Sequence, residues 1–161
     1  MKKIIILFVV GMLFIPCLSY AQKPRYIKTD TYEGVVFPMF WATDPKKEKY
    51  AYMPTNKEIA IMEKKIADSI GALFTNFVEH HVYKGNCNFK QNLRGFIRQY
   101  TGEKIGRNKE IFTIFYWTTN SENWKEEQLD PNGRGRCDVF MIKYSITSGK
   151  FISFYTDLSD M

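Results

Sequence analysis

Residues 55–77 read TNKEIAIMEKKIADSIGALFTNF and set the architecture of this chain. Thr55 and Glu58 have the S/T-x-x-E spacing of a capping box, in which each side chain satisfies a free amide of the first helical turn. Apolar residues then recur at steps of three and four, which predicts an amphipathic helix of about 24 residues, roughly 36 Å long. Its apolar face contains Ile59, Met62, Ile66, Ile70, Leu73, Phe74 and Phe77, and its polar face includes Glu63, Lys64, Lys65, Asp68, Ser69 and Asn76.

A second helix is predicted over residues 88–100, because apolar residues there also recur at helical spacing. Gly102 suits the left-handed residue that ends a helix. The apolar face of this predicted helix contains Phe89, Leu93, Phe96, Ile97 and Tyr100, and the opposite side carries a basic ridge of Lys90, Arg94 and Arg98, with Lys104 and Arg107 nearby.

From residue 110 the pattern of the sequence changes to that of β-strands. Strands are predicted at 110–119, 137–146 and 150–156, where β-branched and aromatic residues dominate, and a further short strand is predicted at 32–37. Residues 22–31 are polar and are predicted to be loose. The long connection 120–136 separates the first two of these strands, and connections of this length are often functional or mobile. The fold class predicted is a two-layer α+β domain, in which the long helix and a second helix pack on a C-terminal antiparallel sheet of three to four strands.

The amino-terminal segment predicts export. Lys2 and Lys3 precede an apolar run over 4–18, and Ala21 offers a small residue at a cleavage site, which is the pattern of a secretory signal peptide. Lipidation at Cys17 and retention as a membrane anchor are the alternatives. We therefore expect a signal peptide at 1–21 and a single domain at 22–161, with an ordered core at about 32–157. The mature protein is expected to be periplasmic or secreted, and to touch a membrane only through an uncleaved or lipidated leader.

Composition and charge favour a folded, mildly basic domain. Hydrophobic residues form 45% of the chain and aromatic residues 16%, which is typical of a folded body. The net charge of +6 falls by two to +4 when Lys2 and Lys3 leave with the leader. This charge, without a denser basic stripe or a recognisable module, does not indicate a nucleic-acid binder. An unknown protein or an anionic ligand of the cell envelope, such as an acidic glycan, is the expected partner.

Cysteine and histidine supply the remaining candidates for chemistry. Cys87 and Cys137 are an even pair in an exported chain, which favours a disulfide over two free thiols. His80 and His81 are the two histidines, and adjacent positions on a helix point about 100° apart, so they do not form a chelating pair. The sequence predicts no metal site, no cofactor and no catalytic residue.

A non-catalytic binding or accessory module is the function that these patterns favour. The basic ridge could hold an anionic partner, and Trp117 and Trp124 could line a ligand surface on the sheet. The alternative is an enzyme with an unfamiliar site in a cleft between helix and sheet, using His80 or His81 with a carboxylate.

The phrases YMPTNKEIAIME (52–63) and FIRQYTG (96–102), followed by a strand-turn-strand tail, resemble small exported bacterial proteins of unknown function. The resemblance covers about residues 50–156 and implies an envelope or secreted setting, with no catalytic residues to transfer. In its predicted order of elements the chain is similar to cystatin-like and NTF2-like folds, which host many unrelated functions.

Overall fold

The fold is one long helix packed on one mixed β-sheet. A computed structural model describes residues 23–38, 49–80, 93–117, 123–129 and 138–155, and for residues 74–80 it describes the backbone alone. The elements are β1 (Arg25–Lys28), β2 (Glu33–Val36), β3 (Ala51–Tyr52), α1 (Asn56–His80), β4 (Phe96–Ile105), β5 (Asn108–Trp117), β6 (Val139–Ser145) and β7 (Lys150–Tyr155).

The sheet has the strand order β1-β2-β4-β5-β6-β7, and β3 pairs with β4 beyond the end of β2. β2 runs parallel to β4, whereas the other pairings are antiparallel. β4 and β5 pair along their full length, from Phe96 opposite Trp117 to Ile105 opposite Asn108. β4 is therefore a central strand, with β5 on one side and β2 and β3 on the other.

The amino-terminal cap of α1 matches the predicted capping box. The backbone amide of Thr55 donates to the Glu58 carboxylate at 2.8 Å, and the amide of Glu58 donates to the Thr55 hydroxyl at 3.2 Å. These reciprocal bonds satisfy donors that the first turn leaves without helical partners. They fix the point at which the chain enters α1.

The core lies between α1 and the sheet face that it covers, here called the inner face. Ile59, Met62, Ile66 and Ile70 of α1 are buried against aromatic residues of the central strands. Phe115 of β5 and Phe140 of β6 are stacked there, with ring centroids 4.2 Å apart. Since such large side chains dominate burial in protein interiors, this face supplies most of the described apolar core.

The predicted second helix and the predicted fold class are wrong. Residues 93–95 form a short 3₁₀ turn, and residues 96–105 form β4. The described chain is mostly β, with a seven-stranded mixed sheet and one α-helix in its described residues, not a pair of helices on three to four antiparallel strands. Pairing of β4 with three neighbouring strands satisfies its backbone, and this tertiary context overrides the helical spacing of its apolar residues.

Other predicted elements agree with the structure. The strands expected at 110–119, 137–146 and 150–156 correspond to β5, β6 and β7, and the last two form the expected antiparallel hairpin. The strand expected at 32–37 corresponds to β2, whereas β1 lies in the segment that was expected to be loose. No helix among the described residues is both long and apolar enough to cross a bilayer. The predicted leader at 1–21 lies outside the described residues.

Candidate binding surface

The structure does not place Arg94 and Arg98 of the predicted basic ridge on one surface. The ridge required residues 88–100 to be a helix, and Arg98 instead lies on the inner face of β4, where it is 1% exposed. Arg94 is exposed in the 3₁₀ turn, and Lys90 lies outside the described residues. The structure therefore separates Arg94 and Arg98 into different environments, and only Arg94 is available to solvent.

Arg98 is held by backbone carbonyls and by a carboxylate. Its guanidinium donates to the carbonyl of Phe96 and, at 3.0 Å, to the carbonyl of Leu93. Its Nε lies 3.3 Å from Oε1 of Glu63, an ion-pair contact that lacks hydrogen-bond geometry. Arg98 thus ties the turn before β4 to the strand itself and joins the strand to α1.

Glu63 is a buried acid beneath the helix, although the sequence pattern placed it on the polar side. It is 5% exposed, and its Oε1 accepts a hydrogen bond from the hydroxyl of Tyr100 at 2.8 Å. Burial raises the pKa of the Glu63 carboxyl, while Arg98 and Tyr100 act in the opposite direction. Burial likewise raises the pKa of Tyr32, whose ring faces the Arg98 guanidinium. Because Glu63 and Arg98 are sealed from solvent and engaged with each other, we interpret the pair as structural.

This burial of Glu63 predicts a pH dependence of stability. With a raised pKa, the folded protein keeps the Glu63 proton at a pH where the unfolded chain, with a pKa of about 4.3, has already lost it. The stabilising contribution of this group is therefore complete below about pH 4.3 and declines as pH rises through the folded pKa. Urea unfolding at a series of pH values should show that wild type loses stability relative to Glu63→Gln as pH increases. A difference that instead grows in favour of wild type would mean that Arg98 lowers the pKa overall.

The two predicted tryptophans lie on opposite faces of the sheet. Trp117 is at the end of β5 on the inner face, where its ring meets Phe96 edge-on with centroids 5.2 Å apart. Trp124 lies on the other face, here called the outer face, and packs with the second apolar cluster. The structure therefore does not bring Trp117 and Trp124 together into one ligand surface.

A buried glutamine fixes the segment that carries Trp124. Gln99, 3% exposed on the outer face of β4, donates from Nε2 to the carbonyls of Trp124 and Glu127, both at 2.9 Å. Its Oε1 accepts a bond from the amide of Leu129 at 2.8 Å. The hydroxyl of Tyr116 adds a bond to the carbonyl of Leu129 at 2.6 Å. Residues 123–129 are thus pinned to the sheet by side chains from two adjacent strands.

This pinning places Trp124 in what we call the Trp124 cluster, which consists of Tyr26, Glu33, Trp124 and Lys125. The rings of Tyr26 and Trp124 meet edge-on with centroids 6.2 Å apart. Lys125 Nζ lies 4.5 Å from the Tyr26 ring centroid and 5.3 Å from that of Trp124. Tyr26 is 42% exposed, so an aromatic surface beside an ammonium group faces solvent.

The charges of the Trp124 cluster are coupled through Glu33. The Tyr26 hydroxyl donates to Glu33 at 2.7 Å, which raises the pKa of Tyr26 to about 12 and lowers the pKa of Glu33. Lys28 and Lys125 lie 3.5 and 3.9 Å from the two oxygens of the same carboxylate and lower its pKa further. Glu33 is therefore ionised at neutral pH. The ammonium groups of Lys28 and Lys125 both contact this one carboxylate, so one positive charge remains to attract an anionic ligand.

Sequence reasoning named Trp124 as a candidate but missed the residues that contact it. Tyr26 lies in the segment predicted to be loose, and Gln99 was assigned to the second helix. The hydrogen bonds of Gln99 join residues that are 25 to 30 positions apart in the sequence. The local spacing of apolar residues does not report contacts over such separations. Residues 96–103 carry no alternation of apolar and polar residues, so the sequence offered no local signal that places Gln99 on the face opposite Arg98.

The remaining candidates lie outside the part of the chain that the structure describes. These are Cys87, Cys137, His81 and the side chain of His80, so the disulfide and the histidine-based enzyme site stay predictions. The described residues contain no group of three or more histidine, cysteine or acidic side chains placed to hold a metal ion. Comparisons with family models, with curated proteins and with solved structures found no match.

Proposed function

We propose that this protein is an exported, non-catalytic binding module, and that the Trp124 cluster binds an anionic ligand with a flat apolar face. An acidic glycan of the cell envelope has this chemistry. The leader pattern at residues 1–21 supports export. The basic composition of the chain suits an anionic partner.

The composition of the cluster supports this class of ligand. The exposed ring of Tyr26 and the half-buried ring of Trp124 offer an apolar surface on which a sugar ring can pack, as aromatic side chains do at many binding sites. Lys125 and Lys28 flank that surface and can each donate a charge-assisted hydrogen bond to a carboxylate. A neutral sugar would use the rings alone, so the cluster selects for negative charge.

The observation that carries the proposal is the use of Gln99 to fix the segment 123–129. A loop that merely covers the sheet needs only apolar contacts, and Leu129 already supplies one. A buried amide that makes three hydrogen bonds instead specifies a single arrangement, because any other would leave a buried polar group unpaired. Such preorganisation lowers the entropy lost when a ligand is bound.

Calorimetric titration with oligogalacturonate, an acidic saccharide, tests the proposal. Wild type is expected to bind it in preference to a neutral malto-oligosaccharide of equal length. Trp124→Ala should weaken binding by at least about tenfold, as loss of a central aromatic contact does. Tyr26→Ala, which alters a different element, and Lys125→Glu should each weaken it as well.

Lys64→Glu is the matched control, since it makes the same charge change on the exposed side of α1. It should leave the affinity within about twofold of wild type, because surface charges farther apart than the Debye length of about 8 Å are largely screened. Equal loss in Lys125→Glu and Lys64→Glu would show that binding follows overall charge and would overturn the proposed site. Absence of saturable binding to the acidic saccharide would overturn the proposed ligand class.

A further inference from the structure

Two hairpins end side by side at the end of the sheet remote from the Trp124 cluster. β4 and β5 are joined through Gly106 and Arg107, and β6 and β7 through residues 146–149. Gly106 has a φ of 61°, which a two-residue hairpin turn requires and which glycine adopts without strain. Ile105 is six residues beyond Gln99 on β4, or about 20 Å at the rise of a strand.

The two hairpin ends are joined by hydrogen bonds. The amide of Ile146 donates to the carbonyl of Lys109 at 2.9 Å, and the amide of Lys109 donates to the hydroxyl of Thr147 at 2.9 Å. That hydroxyl in turn donates to the carbonyl of Arg107 at 3.1 Å. The surface that they form is therefore a single, preorganised unit.

This surface, which we call the basic tip, consists of Lys104, Ile105, Arg107 and Lys150. All four side chains are exposed. Glu103 precedes Lys104 on β4 and is partly buried, so the described residues at the tip are three cations and one carboxylate.

The next acids inward from the tip are already paired with lysines. Glu58 contacts Lys109 at 2.7 Å, and Glu110 contacts Lys143 at 2.6 Å. These pairs cancel their own charges and leave the positive field of the basic tip in place.

An exposed apolar side chain lies in the hairpin that carries Lys104 and Arg107. Ile105 is 53% exposed, the highest value among the exposed large hydrophobic residues of the described chain, and it lies between Lys104 and Arg107 in the sequence. A surface that served solubility alone would gain nothing from an isoleucine at this position. An exposed apolar residue flanked along the chain by Lys104 and Arg107, with Lys150 on the adjoining hairpin, is instead the composition of an interfacial membrane contact.

We propose that the basic tip docks on the surface of a bilayer that contains anionic lipids. Lys104, Arg107 and Lys150 contact the headgroups, and Ile105 enters the boundary between headgroups and acyl chains. The sequence-based expectation allowed a membrane contact only through the leader, and this contact is additional to it. It is independent of the proposed glycan site, which is anchored at Gln99, about 20 Å from Ile105 along β4.

Co-sedimentation with lipid vesicles tests the docking. The protein is used as recovered from the producing cell, with the state of its leader established by mass spectrometry. Vesicles of equal parts phosphatidylglycerol and phosphatidylcholine are compared with phosphatidylcholine alone. Binding to the neutral vesicles reports any contribution of the leader, which all variants share. Wild type should bind the anionic vesicles more tightly, and added salt should weaken this preference.

Three variants identify the surface involved. Each basic residue near an anionic membrane is worth about fivefold in affinity, so the double reversal Lys104→Glu, Arg107→Glu should weaken binding to anionic vesicles by at least about 25-fold. Ile105→Ser should weaken it by about fivefold to tenfold, because it removes the inserted apolar area. Lys64→Glu, Lys65→Glu makes the same charge change on the exposed side of α1 and should retain most of the affinity.

Three outcomes of this experiment would overturn the proposed membrane docking. No preference of wild type for anionic vesicles excludes the membrane surface. Equal losses in the two charge-reversal variants show that binding follows net charge and not the basic tip. Loss of binding on charge reversal, with no effect of Ile105→Ser, indicates a site for a soluble polyanion. Heparin would then displace wild type and the Ile105→Ser variant from the vesicles equally well.

Discussion

Replacement of Arg98 by methionine is expected to lower the free energy of unfolding by about 3–5 kcal/mol, the usual result of removing one partner from a buried ion pair. Glu63 would then either remain charged in an apolar site or take up a proton, and both are unfavourable. The carbonyls of Phe96 and Leu93 would also lose their donor. Urea unfolding followed by circular dichroism measures the change.

Arg94→Met is the matched control, because it makes the same chemical change in an exposed residue four positions earlier. Its effect should stay within about 0.5 kcal/mol, as for most surface substitutions. The double variant Glu63→Met, Arg98→Met should recover part of the loss, since no unpaired charge remains. If Arg98→Met is no more harmful than Arg94→Met, Arg98 does not lie beneath α1.

Gly34→Ala is expected to destabilise the protein by about 3 kcal/mol, at the upper end of the usual range for overpacking. A Cβ at Gly34 would lie 2.6 Å from the ring of Tyr100 and 2.7 Å from the backbone oxygen of Arg98. The backbone oxygen cannot move aside without separating β2 from β4. Thermal and urea unfolding of the variant measure the effect.

Gly71→Ala provides the contrast for this second prediction. It makes the same change in α1, where alanine has a higher helix propensity, and it should leave stability unchanged or raise it by up to about 1 kcal/mol. A Gly34→Ala protein as stable as wild type would contradict the parallel pairing of β2 with β4, since only that pairing makes residue 34 crowded.

The elements with a clear pattern of their own could be predicted from the sequence. α1 has a capping box and apolar residues at helical spacing along its length, and β5, β6 and β7 are rich in β-branched and aromatic residues. In each of them the local preference agrees with the final environment, which is the condition under which single-sequence reasoning succeeds.

β4 could not be predicted because both of its faces are largely buried over residues 96–102. A strand covered on both sides loses the alternation of apolar and polar residues that identifies a half-exposed strand. The spacing of Leu93, Phe96, Ile97 and Tyr100 then matches a helix equally well. Arg98 also favoured the wrong prediction of a helix, because a charged residue on the side opposite an apolar helix face is normally exposed to solvent.

The candidate site was predictable only in part, for the same reason. Trp124 was predicted, together with Trp117, to line a ligand surface on the sheet because both residues are large and aromatic. Its neighbour Tyr26 and its anchor Gln99 come from strands that the sequence pattern did not reveal. The burial of Glu63 could have been inferred from its position in the helix. Glu63 lies four residues after Ile59 and three before Ile66, so it falls on the apolar face of α1.

Nuclear magnetic resonance of the isotope-labelled protein, titrated with oligogalacturonate, is the most direct test of the proposed binding surface. Saturable shifts of the Trp124 indole and of the Tyr26 and Lys125 amides are expected, with the amides of the basic tip unaffected. Absence of saturable shifts, or shifts confined to residues 104–107, would contradict the assignment of the ligand site to the Trp124 cluster.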